Sequence, residues 1–183
     1  MTLLDHLRDM ARNNAWSNNR LLTACAALSD EDFAATRTSF FPSLRLTLNH
    51  ILIVDWYYID ALTAGGRGTA TYADEVPFPD LPGVAAAQRA SDRQLIAFCD
   101  GLTEPDLSRT EVLDRGKRGL KHDSIAAVLA HLFIHQIHHR GQAHAMLSGT
   151  PVAPPQLDEF VLKEDAARSV AELAAIGITR RVP

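Results

Sequence analysis

AHLFIHQIHHRGQAHAML, residues 130–147, carries five histidines, His131, His135, His138, His139 and His144, with no proline and a single glycine, Gly141. The spacing reads as one helix. His135 and His139 are four positions apart, so on a helix their Cβ atoms lie about 5 to 6 Å apart on one face, and the two imidazoles can grip one cation. At about 100° per residue, Ile125, Val128, Leu132, Ala143 and Met146 define an apolar stripe that contains His135 and His139. His131 and His138 sit at its border, and His144 lies well away from it. An imidazole turned into an apolar seam must place both ring nitrogens. A shared cation does this for a pair, and hydrogen bonds to backbone or side chains are the alternative.

A histidine pair needs a third ligand, and only His6, His50 and His122 lie outside the cluster. Between Ser43 and Thr63, Leu46, Val54, Tyr57 and Ala61 recur at helical spacing and share a face with His50, so His50 also points inward. His6 sits beside Asp5 and Arg8 near the start of the chain, and His122 follows Lys121 in a charged connector. The expected metal ligands are therefore His50, His135 and His139.

The rest of the chain reads as helical, with four segments long enough for an antiparallel bundle and no convincing series of alternating strands. The first helix is expected from about Leu3 to Ala27, with an exit at Ser29-Asp30. Ser43 caps a second helix that ends before Gly65-Gly66. The stretch through Pro77, Pro79 and Pro82 is rich in turn formers and crosses the bundle as a long loop. A third helix runs from Val84 to about Cys99, with Gly101 as terminator, and a short hairpin strand is weakly signalled at Thr110 to Leu113. Asp123 or Ser124 caps the fourth, histidine-bearing helix, which stops near Gly149. After Pro151 to Pro155, a final helix from about Asp158 to Ala175 packs outside the bundle.

Composition sets the class. A chain of 183 residues with 46% hydrophobic content can bury a real core, and one domain, 1–183, is expected. The formal net charge is −4 and no basic block is present, which argues against a nucleic-acid partner. No apolar run is long enough for a bilayer, and the start MTLLDHLRDM lacks a signal peptide's apolar stretch, so neither a membrane partner nor export is expected. Cys25 and Cys99 stand apart from each other and from the histidines, as free buried thiols of a cytoplasmic protein would.

Several motifs follow one another in order: Asn14-Ala15-Trp16-Ser17-Asn18-Asn19-Arg20-Leu21-Leu22, then Asn49-His50-Ile51 with Asp55, then His135-Gln136-Ile137-His138-His139-Arg140-Gly141-Gln142, and finally Pro155-Gln156-Leu157-Asp158. With these the chain resembles the DinB/YfiT-like metalloenzymes, small four-helix bundles. The resemblance implies an all-α, up-up-down-down bundle with a long crossover, a divalent metal held by His50, His135 and His139, and a homodimer. Ile134 and Ile137 lie opposite the main apolar stripe of the fourth helix, which fits either an intersubunit contact or cover by the terminal helix.

Three neutral imidazoles leave net charge near +2 and room for water or substrate, the composition of an open catalytic site. Zinc is the ion expected on availability, and nickel is a realistic occupant. The function expected is a metal-dependent enzyme acting on a small molecule, in its most concrete form S-transfer to or from a low-molecular-weight thiol, as relatives implied by the resemblance perform. The alternatives are a metal-dependent hydrolase and a non-catalytic stress or interaction module stapled by the ion. Around the site, Asp55 is expected in a supporting role, and Tyr57 either as a donor to a metal-bound group or as a core aromatic. Asn14, Trp16 and Asn18 are expected at the pocket wall, Arg140 and Gln142 at the helix end or tail, and Asp158 over the bundle mouth.

Overall fold

The N-terminal ends of the helices show how local sequence starts each one. The structure, a computed structural model, describes residues 1–181. Helix α1 (Leu3–Cys25) opens on a reciprocal cap in which the Thr2 hydroxyl accepts from the Asp5 amide and the Asp5 carboxylate accepts from the Thr2 amide. The expected exit at Ser29 instead starts a short helix, α2 (Asp30–Ala34), because the Ser29 hydroxyl accepts from the Asp32 amide. Ser43 caps α3 (Leu44–Leu62). Helix α4 (Leu81–Gly101) begins three residues earlier than expected: Asp80 accepts from the Gly83 amide at 2.8 Å, and Pro82 fits the first turn, where its missing N–H is no loss. Ser124 caps α5 (Ile125–Leu147), the histidine helix.

The hairpin signal is realised more fully than expected. Strand β1 (Thr110–Asp114) pairs antiparallel with β2 (Leu120–Ser124), and Leu113 packs into the core from it. The terminal helix is shorter: residues 158–162 are irregular and α6 spans Ala166–Ala175. It lies outside the bundle against α1, where the Arg20 guanidinium meets Glu172 at 2.7 Å.

The architecture is the expected all-α four-helix bundle, in which α1 packs on α4 and α5, and α3 packs on the same two helices. One apolar cluster gathers Leu4 and Leu7 of α1, Ile59 and Leu62 of α3, Leu95 and Cys99 of α4, and Ile125 and Leu129 of α5. The other gathers Leu21 and Cys25, Leu44 and Leu48, Leu81 and Val84, and Ala143 and Leu147. Helices α1 and α5 thus run one way and α3 and α4 the other. The bundle order is up-down-down-up, not the up-up-down-down order that the family resemblance implies. At the first end, Arg8 of α1 donates to the carbonyls of Cys99, Asp100 and Leu102, capping the end of α4.

This order leaves a single connection that must travel the length of the bundle, residues 63–80 between α3 and α4. Asn49 pins it. The Asn49 side chain donates to the Phe78 carbonyl at 2.8 Å and accepts from the Phe78 amide at 3.0 Å, in a site where Asn49 is fully buried.

Between the two apolar clusters lies a buried polar network that touches all four long helices. Asp92 accepts from Asn14, Asn18 and Gln88, Asp55 accepts from Gln88 and Gln136, and Arg140 donates to Asn14 and Asn18. The network takes in Asn14, Asn18, Asp55, Gln136 and Arg140 of the resemblance motifs: Asn14 and Asn18 face inward on it, and Arg140 joins α5 to α1 and not to the tail. No helix among the described residues is long and apolar enough to cross a membrane.

Replacing Asn49 by alanine removes both bonds of the clamp and leaves the Phe78 groups without partners, so the variant should lose about 1 to 3 kcal/mol of stability. Urea denaturation of metal-free protein checks this; wild-type stability in the variant would mean that the clamp does not hold the crossover.

Candidate metal centre

His50 comes from the middle of α3, and His135 and His139 from successive turns of α5 facing it. Their ligand atoms all lie within 4.8 Å of one another, and the Nε2 atoms of His50 and His135 are 3.1 Å apart. Two nitrogens at about 2.0 to 2.1 Å from one tetrahedral ion stand about 3.3 Å apart, so the pair is already near ligand spacing. His139 Nδ1 sits 2.8 Å from the Gln142 side-chain oxygen. That contact places the proton on Nδ1 and leaves Nε2 as a lone pair, the tautomer a metal requires. The Gln142 amide nitrogen lies 3.1 Å from His138 Nε2, so Gln142 is fixed from both sides. His135 Nδ1 is buried without a hydrogen-bond partner, so the ring's polar contact lies on its Nε2 side, toward His50.

Electrostatics keep the cluster neutral. Burial pushes His50 down to about 4, with the neighbouring His139 adding to it, and pushes His135 down to about 3, with His139 and His50 adding. His139 is also lowered by burial, against the pull of Gln142. All three imidazoles are unprotonated at neutral pH, with lone pairs free for a cation. The donor set therefore fits a divalent ion held by His50, His135 and His139.

The remaining histidines stay out of the group: His131 lies against Tyr58 with the rings tilted, His138 lies beside His139, and His6, His122 and His144 do not join. Tyr57 is a core aromatic whose hydroxyl donates to the Asp114 carbonyl at 2.6 Å and so holds the hairpin. Asp55 is buried in the network, where burial and Asp92 raise it to about 7. Trp16 packs on Phe160, and Asp158 is exposed.

Three residues beside the centre carry no motif in the sequence. The Phe41 ring lies 4.2 Å from that of His50 and 5.6 Å from that of His139, between centroids. Tyr72 and Glu75, both from the crossover, line a cavity of about 190 Å³ together with Phe41, Leu46, His50 and Ile53. The pair Phe40-Phe41 before a proline was the one available signal. A larger cavity, of about 430 Å³, lies on the other side of α5, walled by Met10, Ile137, Leu157 and Val161, and none of the three clustered histidines reaches it.

The sequence profile of the DinB family matches residues 3–173 of the chain. Among solved structures, the fold is similar to the crystal structure of a DinB-like protein from Bacillus cereus ATCC 10987, with a TM-score of 0.60 and 17% identity, covering 77% of this chain and 90% of that one. No curated protein matches the sequence.

A neutral His135 in the folded metal-free protein makes acid destabilising. Its folded value of about 3 lies below the usual 6.5, so between these the unfolded chain binds more protons and stability falls as pH falls. Metal-free wild type should lose stability relative to His135→Leu as pH drops from about 6.5 towards about 4. Parallel urea-denaturation profiles for the two proteins would show that His135 is not held neutral by burial.

Proposed function

We propose, from the fact that the chain belongs to the DinB family and brings three neutral imidazoles to one point, that it is a divalent-metal-dependent enzyme acting on a small molecule. The convergence of His50, His135 and His139 is the observation that carries this reading. Zinc is the ion proposed, with nickel as the substitute a His₃ set also accepts. Such an ion supplies Lewis-acid activation of a substrate sulfur or oxygen.

S-transfer with a low-molecular-weight thiol is the proposed reaction. Two observations favour it over hydrolysis. Among the described residues no carboxylate is part of the histidine group, Glu75 being exposed to solvent on the wall of the neighbouring cavity, and the nearest buried acid of α3, Asp55, is engaged by Gln88 and Gln136. A thiol deprotonated by coordination needs no such base, whereas attack by water gains from one. The chain's own residues hold the centre in shape: Gln142 orients His139, and Phe41 covers the faces of His50 and His139. The two buried free thiols, Cys25 and Cys99, suit the reducing cytoplasm proposed as its location.

The reading includes a homodimer built on α5. Arg140 is the only formally charged residue of this helix and it is buried, while Ile134 and Ile137 are 67% and 52% exposed. The exposed stripe also holds Ala130, Gly141 and Ala145, so it is uncharged and built of small and apolar residues. A helix apolar on every face is normally a covered helix, and α6 leaves this face open.

Elemental analysis of untagged protein tests the metal. Wild type and His144→Ala should each carry about one divalent ion per chain, and His50→Ala and His139→Ala should carry little; equal retention in all four would remove the assignment. Sedimentation of the Ile134→Asp/Ile137→Asp variant tests the dimer: it should run as a monomer at concentrations where wild type is dimeric, and a monomeric wild type would exclude the interface.

A further inference from the structure

We infer that the cavity between α3 and the crossover is the substrate pocket of the metal centre, and that it takes a small uncharged apolar group, an aryl ring or short alkyl chain, in preference to a negatively charged one. The inference rests on the metal-dependent reading above. His50 is both a member of the histidine group and part of the cavity wall, so a molecule lodged there meets the centre directly. The larger cavity beyond α5 has no such contact.

Size and lining define the ligand. About 190 Å³ accommodates one ring or a chain of a few carbons and excludes a bulky conjugate. Four of the six lining side chains, Phe41, Leu46, Ile53 and Tyr72, present apolar surface. Burial raises the Tyr72 phenol well above its ordinary value, so that wall stays neutral. Glu75 is the one acidic side chain of the lining, and it is exposed to solvent. A carboxylate there repels an anionic substituent and tolerates a neutral one.

Position within the fold gives this lining its meaning. Tyr72 and Glu75 belong to the α3–α4 connection, which travels the length of the bundle, and the Asn49 clamp on Phe78, one residue from His50, holds that segment against α3. The crossover therefore builds the wall facing the metal ligands, and Phe41 closes it from the α2–α3 connection.

Calorimetric titration of the zinc-loaded full chain with three hydroxamates tests the inference, because each probe carries the same metal-binding head. Benzohydroxamate should bind at least about tenfold more tightly than acetohydroxamate, from burial of its ring. 4-Carboxybenzohydroxamate should lose that advantage in wild type and regain it in Glu75→Gln. Leu46→Trp, which fills a half-buried wall position, should retain zinc and lose the preference for the ring. Equal binding of the two neutral hydroxamates, or an aryl preference that survives Leu46→Trp, would overturn the pocket. Failure of Glu75→Gln to restore the carboxylated probe would overturn the charge selection. Loss of zinc from wild type, read by elemental analysis of the same samples, would instead overturn the metal-dependent reading and this inference with it.

Discussion

The bundle depends on a buried polar constraint at its middle. Helix α5 is apolar around nearly its whole circumference, so the hydrophobic effect, which has no direction, leaves its rotation about its own axis weakly specified. Gln136 and Arg140 remove that freedom. Turned by one residue, about 100°, they would lose Asp55, Asn14 and Asn18 and strand an amide and a guanidinium in the core. Apolar burial supplies the stability, at about 1.5 to 3 kcal/mol for each buried leucine or isoleucine. A buried charge network returns little net energy when complete, yet loses about 3 to 5 kcal/mol when one partner is removed. Its contribution here is orientation: with Gln136 fixed on Asp55, the preceding His135 and the later His139 are turned onto α3, where His50 stands.

The network also holds charge under tension. Burial raises Asp55 to about 7 and Asp92 to about 6 and lowers Arg140 to about 10. Arg140 reaches Asp92 only through Asn14 and Asn18, and every side-chain donor to the two carboxylates is an amide, of Gln88, Asn14, Asn18 or Gln136. The centre beside it follows the opposite logic. It excludes charge from its own side chains and leaves three lone pairs facing each other, an arrangement that is costly without a cation and well matched to one.

Legibility in the sequence followed periodicity. The convergence of His135 and His139 could be read from a four-residue interval, and that of His50 from the apolar residues sharing its face, because both are consequences of 3.6 residues per turn. The helices, the crossover and the hairpin were legible for similar reasons, through caps, glycines and prolines. The direction of each helix was not, since an amphipathic stripe reads the same from either end; direction is set by where a connection travels, and that is settled by contacts such as Arg8 on the end of α4. Gln142 was misassigned to the helix end because its role depends on which nitrogen of His139 it meets. Phe41, Tyr72 and Glu75 lie in irregular segments, where no period relates a residue to its spatial neighbours.

The crossover divides the molecule into a part that cannot change cheaply and a part that can. Substitutions in the four helices disturb shared core packing and a network in which every residue has several partners. Residues 70–76 meet solvent along most of their length, and the side-chain clamp that holds the crossover lies outside them, at Asn49 and Phe78. Exchanging the exposed Glu75 therefore reshapes the space beside His50 at small cost to folding, while Tyr72, packed on Tyr57, is the costlier position to change. A lineage of such proteins can keep one scaffold and one ligand set and diverge in what they accept by rewriting a handful of loop positions, which makes this segment the place to look for differences in substrate preference between relatives and the natural target for redesigning it.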